Sequence, residues 1–169
     1  MLKKTMPAQP QPIHVLFVCT GNICRSPMAE AVFQHMVAEA GLSNVIKADS
    51  AGTGAWHVGE PPHHGTRTVL RNHGIAYTHA ARQIEPLDFA HFEYIIALDR
   101  SHLSDLRYYA RGNQATLKLL MDYVPGTHVH DVPDPYYTGG FDEVYTLVSQ
   151  GCRALLDHII AEHHLAPRR

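Results

Sequence analysis

Val15-Leu16-Phe17-Val18-Cys19-Thr20-Gly21-Asn22-Ile23-Cys24-Arg25-Ser26-Pro27-Met28-Ala29-Glu30-Ala31 is the stretch on which the fold turns. Residues 15–18 are a β-branched and aromatic run that stops at the turn-prone Thr20-Gly21-Asn22, the pattern of a short buried strand. Beyond the loop, Ser26 is placed to cap a helix whose first position is Pro27. Apolar residues then recur at Ala29, Val32, Phe33, Met36, Val37 and Ala40 before Gly41 ends the run. A strand, a tight loop and an amphipathic helix in that order open a parallel α/β unit.

The rest of the chain continues the alternation. Residues 45–48 read as a second strand, 63–73 as a helix stopped by Gly74, and 94–98 as a third strand. Residues 103–109 read as a helix, 117–121 as a fourth strand, and 141–165 as a last helix with Val144, Tyr145, Val148, Cys152, Leu155 and Ile159 at helical spacing. This order, without internal repeat, predicts an α/β fold: a doubly wound, four-stranded parallel sheet with helices on both faces. Ligands of such sheets bind beyond the carboxyl ends of the strands, and the first strand ends at Cys19. One domain is expected over residues 13–169. Residues 1–12, with Lys3, Lys4 and three prolines but no apolar run, are expected to be a flexible lead-in rather than a targeting segment.

Composition narrows the function classes. A chain of 169 residues, 45% hydrophobic and 18% charged, is long enough to build one core. Its formal charge of -2 leaves no electrostatic footprint for nucleic acid or anionic lipid, so any anion site must be local. No apolar run approaches the roughly 20 residues that span a bilayer, so no membrane partner is expected. The three cysteines, Cys19, Cys24 and Cys152, are an odd set for a secreted disulfide framework and suit a reducing cytoplasm. The fourteen histidines include His63-His64, His163-His164 and the His128-x-His130 pair, but no arrangement that gathers three or four metal ligands. They read as solvated surface residues, and neither metal nor cofactor is expected.

Chemistry concentrates in the first loop, where the Cys19 thiol and the Arg25 guanidinium stand six residues apart. A loop of this length can turn successive backbone N–H groups inward, from Thr20, Gly21, Asn22, Ile23 and Cys24, into an anion cradle continuous with the positive end of the helix. Gly21 and Asn22 tolerate the left-handed backbone that such a nest requires. The cradle favours the thiolate, which is the nucleophilic form of cysteine. It also holds the non-bridging oxygens of a phosphoryl group, with Arg25 as a bidentate clamp. Ser26 is placed to hydrogen-bond the Cys19 sulfur and help it leave.

These residues resemble the low-molecular-weight protein-tyrosine phosphatase family, through the Cys-x5-Arg-Ser loop near the amino terminus and Asp134-Pro135-Tyr136-Tyr137 near the carboxyl terminus. The likeness runs on through Asp49-Ser50-Ala51-Gly52-Thr53, Trp56, His79-x-x-Arg82-Gln83 and Asp99, so it covers nearly everything after Pro12. The resemblance implies Cys19 as nucleophile, Arg25 as phosphate clamp and Asp134 as general acid, which would protonate the leaving phenol and then take a proton from water. It further implies that Asn22, Ser50 and His79 brace the loop, and that Trp56, Tyr136 and Tyr137 line a rim too deep for phosphoserine to span. The implied partner is a phosphotyrosine-containing protein or peptide, met by a monomer or weak homodimer.

Plainer readings stand beside these. Trp56, as the only tryptophan, has a plainer reading as core, His79 as a surface histidine, and Asp99 is either an active-site residue or a helix cap for Ser101 onward. Cys152 lies on the apolar stripe of the last helix and reads as structural. Cys24 is a packing residue or, being near Cys19 in sequence, the thiol that captures an oxidised Cys19 as a reversible disulfide. Among other activities on similar loops, arsenate reduction requires further cysteines on a mobile segment, and residues 80–100 have none. Protein-arginine phosphatases tend to carry a small polar residue where this chain has the apolar Ile23. A non-catalytic phosphate-binding module or a phosphocarrier would not need Asp134.

Overall fold

The computed structural model describes residues 11–110 and 112–168. Most of the expected lead-in, residues 1–10, lies outside the described residues. Among the described residues ten elements follow one another: β1 (Ile13–Cys19), α1 (Arg25–Glu39), β2 (Ile46–Gly52), α2 (His64–Asn72), α3 (Asp88–His91), β3 (Tyr94–Ala97), α4 (Arg100–Tyr109), β4 (Thr116–Leu119), a 3-10 turn (Leu120–Tyr123) and α5 (Phe141–Glu162).

The strands form one four-stranded sheet in the order β2-β1-β3-β4, and every pairing is parallel. The fold is therefore the doubly wound α/β sheet that the alternation predicts. Along β1, Val15 and Phe17 join the core formed with α1, α2 and α5, while Leu16 and Val18 join the core formed with α3 and α4. Alternate side chains feed opposite cores because successive residues of a strand point to opposite faces. Burial on both faces is why residues 15–19 of β1 form an unbroken apolar run, with the partly buried His14 before it.

The chain leaves β1 for β2 on one side and later reaches β3 on the other. The order in which strands are added thus reverses next to β1, and the crevice beyond its carboxyl end opens at Cys19. Gly52 closes β2 opposite Cys19, where an added Cβ would stand 2.5 Å from the backbone oxygen of Thr20. No side chain fits there, which lets the loop lie against the end of β2.

Several boundaries differ from the sequence pattern. α1 starts at Arg25, with Cys24 at the capping position and no side-chain cap, because the Ser26 hydroxyl is committed to Cys19 and Asn22 instead. β2 continues through the polar Asp49-Ser50, held in register by pairing with Leu16 and Phe17. β4 ends at Leu119, and Leu120 and Met121 pass into the 3-10 turn. α4 begins before residue 103 because Asp99 caps it by accepting from His102 N at 3.0 Å. α5 ends at Glu162 rather than 165. The four-residue α3 is too short to leave a periodic signal. No helix among the described residues is long and apolar enough to cross a membrane.

Candidate active site

Cys19, at the end of β1, is 3% exposed, and its Sγ lies 2.9 Å from Ser26 Oγ and 3.4 Å from the donating Ser26 N. Asn22 supports the same hydroxyl from the other side. Its amide nitrogen donates to Ser26 Oγ at 2.9 Å, and the serine's own proton has two acceptors within reach, the sulfur and, at 3.5 Å, the Ala51 carbonyl.

Asn22 adopts φ 57°, the left-handed conformation expected of the loop. Gly21 does not share it. Its lack of a side chain matters for another reason, since a Cβ there would come within 2.9 Å of His57 Cδ2. The Asn22 side chain is 1% exposed and uses both ends. Its nitrogen also donates to Ser50 Oγ at 3.0 Å, and its oxygen accepts from His79 Nε2 at 2.8 Å and Arg82 N at 3.0 Å.

Ser50 passes its proton on to Glu30 Oε1 at 2.7 Å. Burial lifts the Glu30 carboxyl to about 7, against the opposing Ser50 hydrogen bond, and burial likewise pushes the His79 imidazole below its ordinary value. Both members of this buried pair are thereby driven toward their uncharged forms. Glu30, Asp49 and His79 are the described residues whose ligand-type atoms gather within 4.8 Å. Protein donors already occupy them: Ser50 and Gln34 bind Glu30, while Ser50 N and Arg82 bind Asp49. Through Ser50 the cluster is hydrogen-bonded to Asn22 of the loop.

Arg25 is 4% exposed at the start of α1. Its Nη1 donates to Asp99 Oδ2 at 2.9 Å and to the Val132 carbonyl at 3.1 Å, and its Nη2 stands 3.6 Å from Asp134 Oδ2. Asp99 therefore does both things left open by the sequence: Oδ1 caps α4 and Oδ2 orients the guanidinium. Burial favours its neutral form, but His102 N–H, the Ser101 hydroxyl and Arg25 outweigh it and hold the carboxyl below the usual range. Asp134 turns on itself, Oδ1 accepting from Tyr136 N at 3.0 Å, which sets the following tyrosines at the rim.

These parts face a cleft of about 470 Å³, lined by Cys19, Thr20, Gly21, Ile23, Cys24 and Arg25 below and by Trp56, His57, Asp134, Tyr136 and Tyr137 above. Trp56 is 78% exposed, so it is wall and not core. Tyr136 and Tyr137 meet edge to face at 4.7 Å. Cys24 is buried beside Ile23 and Ala81, and its thiol is pushed up to about 12 by burial, with Cys19 adding to the rise. Cys152 is fully buried in the main core, as its place on the apolar stripe suggests.

Sequence reasoning missed His57, held to Glu60 Oε2 at 2.6 Å through Nδ1, and the Val132 carbonyl. Position next to Trp56 was the only signal for His57. Backbone acceptors leave none.

Comparison with known proteins places these features in context. The family model for low molecular weight phosphotyrosine protein phosphatase matches residues 14–165. A Bacillus subtilis protein named low molecular weight protein-tyrosine-phosphatase YfkJ is 52% identical over 155 residues, covering 90% of this chain and 99% of that protein. The crystal structure of YfkJ superimposes with a TM-score of 0.88 at 50% identity, over 92% of this chain and 99% of that one. The crystal structure of a Drosophila arginine phosphatase also matches, with a TM-score of 0.82 at 36% identity over 86% of this chain and 96% of that one.

Proposed function

The chain belongs to the low molecular weight phosphotyrosine protein phosphatase family, and from that premise we propose that it hydrolyses phosphotyrosine in proteins or peptides through a cysteinyl-phosphate on Cys19. Its class of activity is that of a protein-tyrosine phosphatase, a phosphoric monoester hydrolase.

In the first step the Cys19 sulfur attacks phosphorus as the bond to the phenol oxygen breaks, and the Asp134 carboxyl gives its proton to that oxygen. Backbone N–H groups of the loop and the Arg25 guanidinium hold the phosphoryl oxygens as charge moves through the transition state. In the second step Asp134, now a carboxylate, takes a proton from the water that attacks phosphorus. The sulfur–phosphorus bond breaks, and the Ser26 hydroxyl stabilises the departing thiolate.

One observation carries the reading: a buried thiol, a buried guanidinium and a half-exposed carboxylate, from distant parts of the chain, converge on a single aromatic-walled cleft. Turnover of p-nitrophenyl phosphate and of phosphotyrosine, phosphoserine and phosphoarginine peptides by wild type and Cys19→Ser tests it. Phosphotyrosine should be preferred and the variant should be inactive.

The likeness to an arginine phosphatase makes phosphoarginine the second reading. Ile23, 6% exposed in the cleft lining, favours the aromatic substrate by presenting an apolar surface to the ring. Preferred cleavage of the phosphoarginine peptide would reverse that order. The same proposal includes a cytoplasmic location, in keeping with the odd cysteine count, and reversible oxidation through a Cys19–Cys24 disulfide.

A further inference from the structure

The first turn of α4 carries His102, a side chain 2% exposed that takes no part in the steps above. Its Nε2 is 2.7 Å from Thr20 Oγ1, at the beginning of the anion loop. Its Nδ1 lies 3.1 Å from Asp99 Oδ1, though off the line of a full hydrogen bond. Asp99 in turn holds Arg25, at the end of the loop, with Oδ2. One helical turn thus grips both ends of the loop.

The protons on this chain of groups can be assigned. Asp99 Oδ1 is a carboxylate oxygen that already accepts from the Ser101 hydroxyl at 2.7 Å and from His102 N at 3.0 Å. A bare Nδ1 would set a lone pair against that oxygen, whereas a protonated Nδ1 sets an N–H dipole there. Burial pushes the imidazole down to about 4, with Asp99 opposing, so the ring carries a single proton near neutral pH. That proton belongs on Nδ1. Nε2 is then an acceptor, and the exposed Thr20 must donate its hydroxyl proton to it.

We propose that His102 is a positioning residue for the phosphatase reaction: as its Nδ1–H tautomer it links Thr20 to Asp99 and so sets the start of the anion loop against the guanidinium at its end. The inference rests on the loop being the phosphate cradle, and adds what keeps the cradle in register. A histidine that merely filled space behind α4 would need neither partner.

Nitrogen-15 NMR of the full chain with labelled histidine reads the tautomer directly. A protonated Nδ1 and a bare Nε2 are expected for His102 at neutral pH, and the reverse assignment would overturn the proposal. Kinetics with p-nitrophenyl phosphate read the linkage. Thr20→Val and His102→Ala should each lower kcat/KM on the order of tenfold, and the double variant should lose little more than the worse single one. His102→Gln, whose amide oxygen can take the place of Nε2, should recover much of the loss. Additive losses, or a Gln variant as poor as the Ala variant, would sink the idea. If His102→Ala does not fold, Thr20→Val decides, and a loss below about twofold counts against the link. Retained turnover in Cys19→Ser would instead overturn the underlying phosphatase reading, and the role of His102 with it.

Discussion

Arg25 Nη2 and Asp134 Oδ2 face each other at 3.6 Å across the mouth of the cleft, the guanidinium buried and the carboxylate 47% exposed. The proposed phosphate clamp and proton donor are thus neighbours, close enough for one phosphoryl ester to engage both. Arg25 is fixed from behind by Asp99 and Val132, while Asp134 has its own turn with Tyr136 and the longer contact to Arg25. The clamp is buried among protein partners and the acid is the more exposed of the two, open to a leaving group first and a water second.

Replacing Cys19 by Ser should abolish turnover while phosphate or vanadate still binds, because the cradle remains and a serine hydroxyl does not ionise there. Activity above about a thousandth of wild type would exclude a covalent intermediate on this residue. Steady-state kinetics with calorimetry of vanadate binding measures both halves.

Asp134→Ala should slow aryl phosphates with poor leaving groups about 10²–10⁴-fold, and p-nitrophenyl phosphate much less, since nitrophenolate departs with little protonation. A leaving-group series on wild type and variant gives the two slopes. Parallel slopes would remove Asp134 from the acid role.

After peroxide treatment and thiol reduction, wild type should regain activity more completely than Cys24→Ser, because Cys24 can capture a Cys19 sulfenic acid before further oxidation. Burial keeps Cys24 as a thiol, pushed up to about 12, so capture should be faster at alkaline pH. Equal recovery of the two proteins would show that Cys24 only packs.

Glu30 predicts a pH effect on stability. Burial lifts its carboxyl from 4.5 to about 7, with Asp49 adding to the rise against the Ser50 hydrogen bond. The folded protein keeps this proton where the unfolded chain has lost it, so the contribution is fully present below about 4.5 and is lost as pH rises through 7. Glu30→Gln cannot titrate. Urea denaturation should show the variant gaining on wild type by about 1–3 kcal/mol between those limits. A constant difference across the window would mean that Glu30 ionises in the fold as it does in the unfolded chain.

Residues 15–31 are legible in sequence because their signals are local. A buried strand, a turn and an amphipathic helix each follow from residues a few positions apart, and their alternation along the chain determined the parallel sheet and put Cys19 at its carboxyl edge. The thiol, guanidinium and serine lie close together within residues 19–26, so their spacing is legible without coordinates. Tertiary structure decided what spacing cannot encode. Ser26 is open in sequence both to capping the helix and to meeting the sulfur; the fold leaves α1 without a side-chain cap and sets the hydroxyl 2.9 Å from Cys19 Sγ. Asp99 took two roles at once because its two carboxylate oxygens face different elements. Trp56 stands exposed at the rim, and His102 meets Thr20 from beyond the neighbouring strand, a contact that exists only once β1 and β3 are paired. A hydrogen bond depends on tenths of an ångström and on direction, and both are set by how whole elements pack; a pattern of residue types carries neither.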